Sequence, residues 1–206
     1  MPRTPQQNRR LRAESQRRIL EAARTAFARL GVDRATVRDI ADEAGVAQGL
    51  LYNYFRSKDE LLRAIFREGA RDVAEAFAAG AGDGTAEERL GRVIHRSFEI
   101  VRERREFWQL SYMVRFQPRI AALLRKDLAA WTAGVRAQLE TLLREIGHPD
   151  APALARVLFG AIDGVAQHYA LEPDEYPLDS TVARLVRHFC QRPVEADSRA
   201  ATGRRA

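Results

Sequence analysis

The sequence predicts an all-α protein, and three of its features do so. Ala, Leu, Arg and Glu dominate while β-branched residues are sparse, a composition that favours helix over strand. Apolar residues recur at spacings of three and four along most of the chain. Helix punctuation brackets these stretches, with Ser or Thr followed three residues later by an acid at their starts and Gly at several of their ends. At 206 residues the chain can bury a real core, as one small and one medium domain or as a single larger one.

Taken in order, residues 1–14 mix Pro2, Pro5, Gln and Arg without apolar periodicity and read as a mobile basic arm. Ser15 then caps a first helix carrying Ile19, Ala22, Ala23, Ala26, Phe27 and Leu30, which Gly31 stops. Thr36 with Asp39 opens a two-turn helix whose apolar face is Val37, Ile40, Ala41 and Ala44, before a turn at Gly45. A third short helix, 47–55, puts Leu51 and Phe55 on one side and Gln48, Gly49, Tyr52 and Asn53 on the other. So short a segment must lean on the first two.

Ser57 with Glu60 starts a longer helix reaching about residue 79, and the linker GAGDG occupies 80–84. Thr85 with Glu88 opens a fifth helix, followed by an aromatic segment holding Phe107, Trp108, Tyr112 and Phe116. Pro118 begins a long helix ending at Gly147, and two more are expected at about 152–171 and 179–191, parted by EPDEYPLD. The count is nine, with no strand candidate and no internal repeat. The expected divisions are the arm, a first helical unit at 15–66, a second helical unit at 67–192 and a disordered tail at 193–206.

Charge placement points to a polyanion. The net charge is +6, and within residues 1–66 thirteen Lys and Arg face eight Asp and Glu, so nearly all of the excess is N-terminal. A basic surface that serves only solubility has the same appearance. Cys190 is the single cysteine, which rules out an internal disulfide or a cysteine-based zinc site. His95, His148, His168 and His188 show no metal-ligand spacing, no G-x-S-x-G occurs, and no glycine-rich loop follows a strand. No catalytic constellation, metal or cofactor is therefore expected. No basic-then-apolar leader and no window of membrane-spanning length is found, so a cytoplasmic protein without membrane contact is expected.

The second helix, the Gly45 turn and the third helix fit a helix-turn-helix, whose second helix enters the major groove while the first braces it. Short helix pairs with a Gly turn also occur in proteins that never touch DNA. The residues narrow the choice. The run TVRDIADEAGVAQGLLYNYFRSKDELLRAIF, 36–66, resembles the signature of the tetracycline-repressor (TetR) family in its Thr-Val-x-x-Ile-Ala start, Ala-Gly-Val turn, Leu-Tyr-x-Tyr-Phe helix and following Ser-Lys-x-x-Leu. The resemblance covers roughly residues 15–66 and implies an N-terminal DNA-binding domain on a helical ligand-binding and dimerisation domain. Its implied function is that of a ligand-responsive repressor, or an activator of the same fold, binding a double-stranded pseudo-palindromic operator as a homodimer.

By that resemblance Tyr52 and Lys58 correspond to the family's phosphate-contacting tyrosine and lysine, which position the protein without reading sequence. Thr36 can offer its hydroxyl and nearby amides to a phosphate, or simply cap its helix. Base reading falls to Arg38, Gln48, Gly49, Leu50, Asn53 and Tyr54: an arginine fork suits guanine, a glutamine amide suits adenine, and Leu50 suits a thymine methyl. A solvated surface charge is the plain alternative for Arg38. Ala47 stands where the family often has Ser or Thr, removing a cap, and Leu50 stands where a small or hydroxylated residue is common.

Beyond residue 80 nothing names a ligand. Phe98, Trp108, Tyr112, Phe116, Trp131 and Tyr169 are more aromatic surface than a plain bundle needs, and with Asp163 and His168 they form the expected pocket for a small, largely apolar or aromatic effector. For any one aromatic, core packing is the competing reading. Leu158, Ala161, Ile162 and Val165 on the penultimate helix, with Leu185, Val186 and Phe189 on the last, suit a four-helix dimer interface.

Overall fold

The computed structural model describes residues 4–192 and is entirely helical among them, with nine helices. They are α1 (Pro5–Leu30), α2 (Val37–Glu43), α3 (Gln48–Tyr52), α4 (Lys58–Ala79), α5 (Ala86–Glu103), α6 (Arg105–Arg115), α7 (Pro118–Ile146), α8 (Ala151–Leu171) and α9 (Leu178–Phe189).

One expectation is corrected at the start of the chain. Residues 5–14 are not a loose arm but the first turns of α1. The Thr4 hydroxyl accepts the Gln7 amide at 3.2 Å, the Gln7 side chain accepts the Thr4 amide at 2.9 Å, and Pro5 suits the first helical position. The residues that follow include no Gly and are mostly good helix formers, so propensity carries the helix with no face to bury. Apolar periodicity reports burial, and these turns are helical without being buried. Arg3 and the tail at 193–206 lie outside the described residues.

The remaining punctuation acts as the sequence indicates. Thr36–Asp39 and Thr85–Glu88 are reciprocal capping boxes. Ser57 accepts the Glu60 amide at 3.2 Å, while the Glu60 carboxylate reaches past it to the Arg56 amide at 2.7 Å. At the α2 end Gly45 adopts φ 61°, and the Val46 amide returns to the Ala41 carbonyl at 3.0 Å while the Gly45 amide returns to Asp42 at 3.1 Å. This left-handed stop costs glycine nothing sterically and sets the turn between α2 and α3.

Two apolar cores result. The first joins α1, α2, α3 and the beginning of α4 to Phe107 and Leu110 of α6 and Ile120 and Leu124 of α7. The second is built from α5, the later part of α7, α8 and α9. Helix α4 serves both: Leu61, Leu62, Ala64 and Ile65 are buried in the first, and Val73 and Phe77 pack on the second. No helix among the described residues is long and apolar enough to cross a membrane.

Candidate DNA-binding surface and inner cavity

Helix α3 is held by a single anchor. Leu51 is fully buried, Phe55 just beyond the helix is buried too, and Gln48, Gly49, Leu50, Tyr52 and Asn53 all face outward. Leu50 and Tyr52, 40% and 45% exposed, are large side chains without a packing role. Ala47 provides no side-chain cap, so the first amides of α3 are open to an external acceptor. Arg38, on the outer side of α2, is 81% exposed and lies 3.9 Å from Asp42, a surface pair readily released.

Three expected DNA contacts are otherwise engaged. The Thr36 hydroxyl donates to the Asp39 carboxylate at 2.6 Å and accepts the Asp39 amide at 3.1 Å, so it acts as a cap. The bond from the hydroxyl, followed by that from the Thr36 amide to the same carboxylate at 2.8 Å, holds the Asp39 carboxyl below its usual value. Tyr54 is half-buried against the first core, with the Arg12 guanidinium 5.6 Å above its ring. Lys58 departs furthest from expectation. Its ammonium donates to the carbonyls of Val32, Asp33 and Ala35 at 2.7, 3.1 and 3.0 Å, and an ammonium has three hydrogens to give. It clasps the loop between α1 and α2 rather than standing open to a phosphate.

Between α4, α5, α6, α7 and α8 lies an apolar cavity. Phe98, Trp108, Tyr112, Trp131 and Asp163 line it, together with Phe77 and Phe159, which the sequence reading did not single out. A second apolar cavity toward the first core shares Trp108 and Trp131 as a wall. Asp163 is not free within its site: its two oxygens accept Nη1 and Nη2 of Arg115 at 3.0 and 2.6 Å, tying α8 to α6. Burial, reinforced by the nearby Asp163 charge, pushes the Tyr112 phenol up, so it remains neutral. Burial also raises the Asp72 carboxyl at the cavity edge despite its bond from Arg104.

The family model described as "Bacterial regulatory proteins, tetR family" matches residues 19–65, and "Tetracyclin repressor-like, C-terminal domain" matches 82–192. The chain belongs to the TetR family. The regulator BetI of Stenotrophomonas maltophilia is 31% identical over 71% of this chain and 76% of its own. TtgR of Pseudomonas putida is 30% identical over 84% of this chain and 88% of its own. Among solved structures, a TetR-like regulator from Rhodococcus sp. RHA1 is 28% identical and superposes with a TM-score of 0.70 over 90% of this chain and 94% of that one. FadR of Bacillus subtilis, solved with stearoyl-CoA, shares the fold at 21% identity and a TM-score of 0.70 over 86% of this chain and 98% of its own. The protein is thus a TetR-family DNA-binding transcriptional regulator.

Within that TetR framework several expected ligand and dimer residues move. Phe116 is 68% exposed, outside the cavity, with the Arg115 guanidinium 4.9 Å over its ring. His168 is exposed and stacks on Tyr176 at 6.2 Å, and Tyr169 sits beside Arg102; neither lines the cavity. Helical phase turns His168 away from Ile162, Asp163 and Ala166, which line the cavity, while Tyr169 lies further along α8, packed on the second core. Leu158 and Phe189, expected at the dimer interface, are core residues of the protomer, 0% and 3% exposed. Ile162 packs inward and lines the cavity, whereas Ala161, Val165, Leu185 and Val186 are partly exposed. The outer stripe of α8 is instead Val157, 59% exposed, Gly160, Gly164 and Leu171, with open space over both glycines. Val157 three residues before Gly160, with Gly164 four residues further on, was the available signal for it.

Proposed function

We propose that the protein is a homodimeric, effector-responsive repressor acting in the cytoplasm on a pseudo-palindromic operator. The observation that supports this best is the shared rod α4, which begins in the core that anchors α3 through Leu51 and ends as a wall of an aromatic cavity. Gln48, Gly49, Leu50 and Asn53 read bases, Arg38 reaches a guanine or a phosphate, and Tyr52 contacts the backbone. Val157, Gly160, Ala161, Gly164 and Val165 of α8, with Leu185 and Val186 of α9, meet their symmetry copies, because a protomer alone leaves this surface uncovered. The effector is small and largely apolar or aromatic, matching the cavity walls. Its binding shifts α4, changes the separation of the two recognition helices and lowers operator affinity; a coupling of about 1–3 kcal/mol weakens binding roughly five- to 150-fold.

Gel shift and footprinting on the region upstream of its own gene test the reading. Two protected half-sites near a whole number of helical turns apart are expected, released by a cavity ligand. Protection of one asymmetric half-site by a monomer overturns the dimeric reading. A ligand that tightens the complex would make the same molecule an activator or co-repressed regulator.

A further inference from the structure

Among the described residues, Asp72 is the single polar or charged residue that is buried, with 5% of its surface exposed. It sits on α4 one turn beyond Glu68, on the same face. One of its oxygens accepts Nη1 of Arg104, at the junction of α5 and α6. The other, Oδ2, has no partner in the protein, and Asp72 lines the aromatic cavity. Trp108, on the same cavity wall, likewise has a buried indole N–H without an acceptor. Other polar neighbours are engaged: the Ser97 hydroxyl donates to the Val93 carbonyl at 2.7 Å, and both Asp163 oxygens hold Arg115. The cavity therefore presents an unmatched acceptor, Asp72 Oδ2, and an unmatched donor, Trp108 Nε1, beside the Tyr112 phenol in an apolar, aromatic setting, which is how an orienting site for a small molecule is built.

Arg104 does not stop at Asp72. Its Nη2 lies 3.7 Å from Glu68 Oε2, and that oxygen accepts Nη1 of Arg24 at 2.6 Å. Arg24 belongs to α1 of the DNA-binding unit, and both arginines lie over the Phe107 ring, at 5.7 and 4.5 Å. The four side chains form an unbroken charged chain from the cavity to α1, and all but Arg104 are more than four-fifths buried.

We infer that Asp72 is the group by which the cavity recognises its effector, selecting an apolar or aromatic molecule that carries a hydroxyl, and that Arg104, Glu68 and Arg24 relay its occupancy to α1. The inference rests on the reading of this cavity as the effector site. A neutral hydroxyl donates a hydrogen bond to Asp72 Oδ2 and offers lone pairs to Trp108 Nε1 from one small group. An ammonium gives protons but accepts none, and a carboxylate only accepts and faces the Asp72 charge. Once Asp72 Oδ2 accepts the ligand's hydrogen bond, its charge is shared and it holds Arg104 less firmly. Arg104 then turns to Glu68, and Glu68 releases Arg24, loosening the tie between α1 and α4.

Three near-isosteric probes decide it: para-ethylphenol, which donates and accepts; para-ethylanisole, which only accepts; and para-ethyltoluene, which does neither. Calorimetric titration of the full-length protein should show the phenol binding at least about tenfold more tightly than the toluene. In Asp72→Asn, Arg104 takes the amide oxygen and the amide N–H groups face the cavity, so the phenol's advantage over the anisole should vanish. Equal affinities of all three in the wild type, or a phenol advantage unchanged in Asp72→Asn, overturn the role of Asp72 while leaving the cavity as the effector site. Failure of all three to bind overturns both. For the relay, para-ethylphenol should weaken the complex of the wild type with an operator selected from random DNA. Glu68→Gln should bind the phenol equally well yet keep its operator affinity. A response in Glu68→Gln equal to that of the wild type, or none in the wild type, overturns the relay.

Discussion

Lys58 shows how a residue's neighbours redefine it. A lysine at the start of a helix beside a DNA-reading element invites a phosphate role, yet its three hydrogens close the loop between α1 and α2 through three carbonyls. Lys58→Ala should therefore lower stability by about 1–3 kcal/mol, seen as a drop in the urea midpoint, because carbonyls lose their donors. The salt slope of DNA binding should stay as in the wild type; a slope shallower by about one unit would restore the phosphate role. Asp39 makes a second prediction. Its carboxyl is held below the usual 3.8 by the Thr36 hydroxyl and amide, so the stability it contributes is present above that value and is lost as pH falls through the lowered one. Asp39→Asn should be less stable than the wild type at neutral pH and converge with it in strong acid. Parallel curves from pH 7 to 2, measured by thermal unfolding, would contradict the linkage.

Elements depend on their ends and on the approach of their neighbours. Helix α1 extends to Pro5 because Thr4 and Gln7 close its first turn, not because anything packs on it. Helix α3 has five residues and no side-chain cap, and it persists because Leu51 and Phe55 are locked into the first core. At the other end of α4, Gly80 permits a close approach. A Cβ there would overlap the Val93 side chain and stand 3.0 Å from the Arg89 carbonyl, although the φ of −79° suits any residue. Gly80→Ala should then destabilise the second core by about 1–3 kcal/mol through overpacking, without changing the denaturant slope. A variant more stable than the wild type would show that the gain from stiffening the unfolded chain outweighs the clash.

At the scale of the molecule, what lies between the cores governs behaviour. Helices α4 and α6 contribute side chains to both, and ion pairs reinforce the junction: Arg119 of α7 holds Asp59, and Arg24 of α1 holds Glu68. The outer stripe of α8 contributes little to the fold of one protomer, so a charge placed there tests association alone. Val157→Arg should fold normally by circular dichroism yet sediment as a monomer, and its operator affinity should fall with the loss of the second half-site. A dimer persisting in Val157→Arg at micromolar concentration would move the interface elsewhere.

The sequence alone determined the nine helices, their order and nearly all their ends. Caps and periodicity are local, and each helix after α1 starts within a few residues of the signal that announces it, except α6, which has no capping residue and is legible only as an aromatic segment. It also determined the helix-turn-helix and the outward set of Gln48, Gly49, Leu50, Tyr52 and Asn53, since one buried Leu51 fixes the phase of so short a helix. The first turns of α1 escaped it, because helix propensity without burial leaves no apolar rhythm. Only the tertiary structure decided the partners of polar groups. That Lys58 meets three carbonyls, that Asp163 meets Arg115 and that Asp72 joins Arg104 to a cavity depends on segments 23 to 48 residues apart along the chain. It decided equally which of Leu158 and Val157 faces inward, because α8 is apolar around much of its circumference, and what surrounds such a helix is set by the packing of its neighbours.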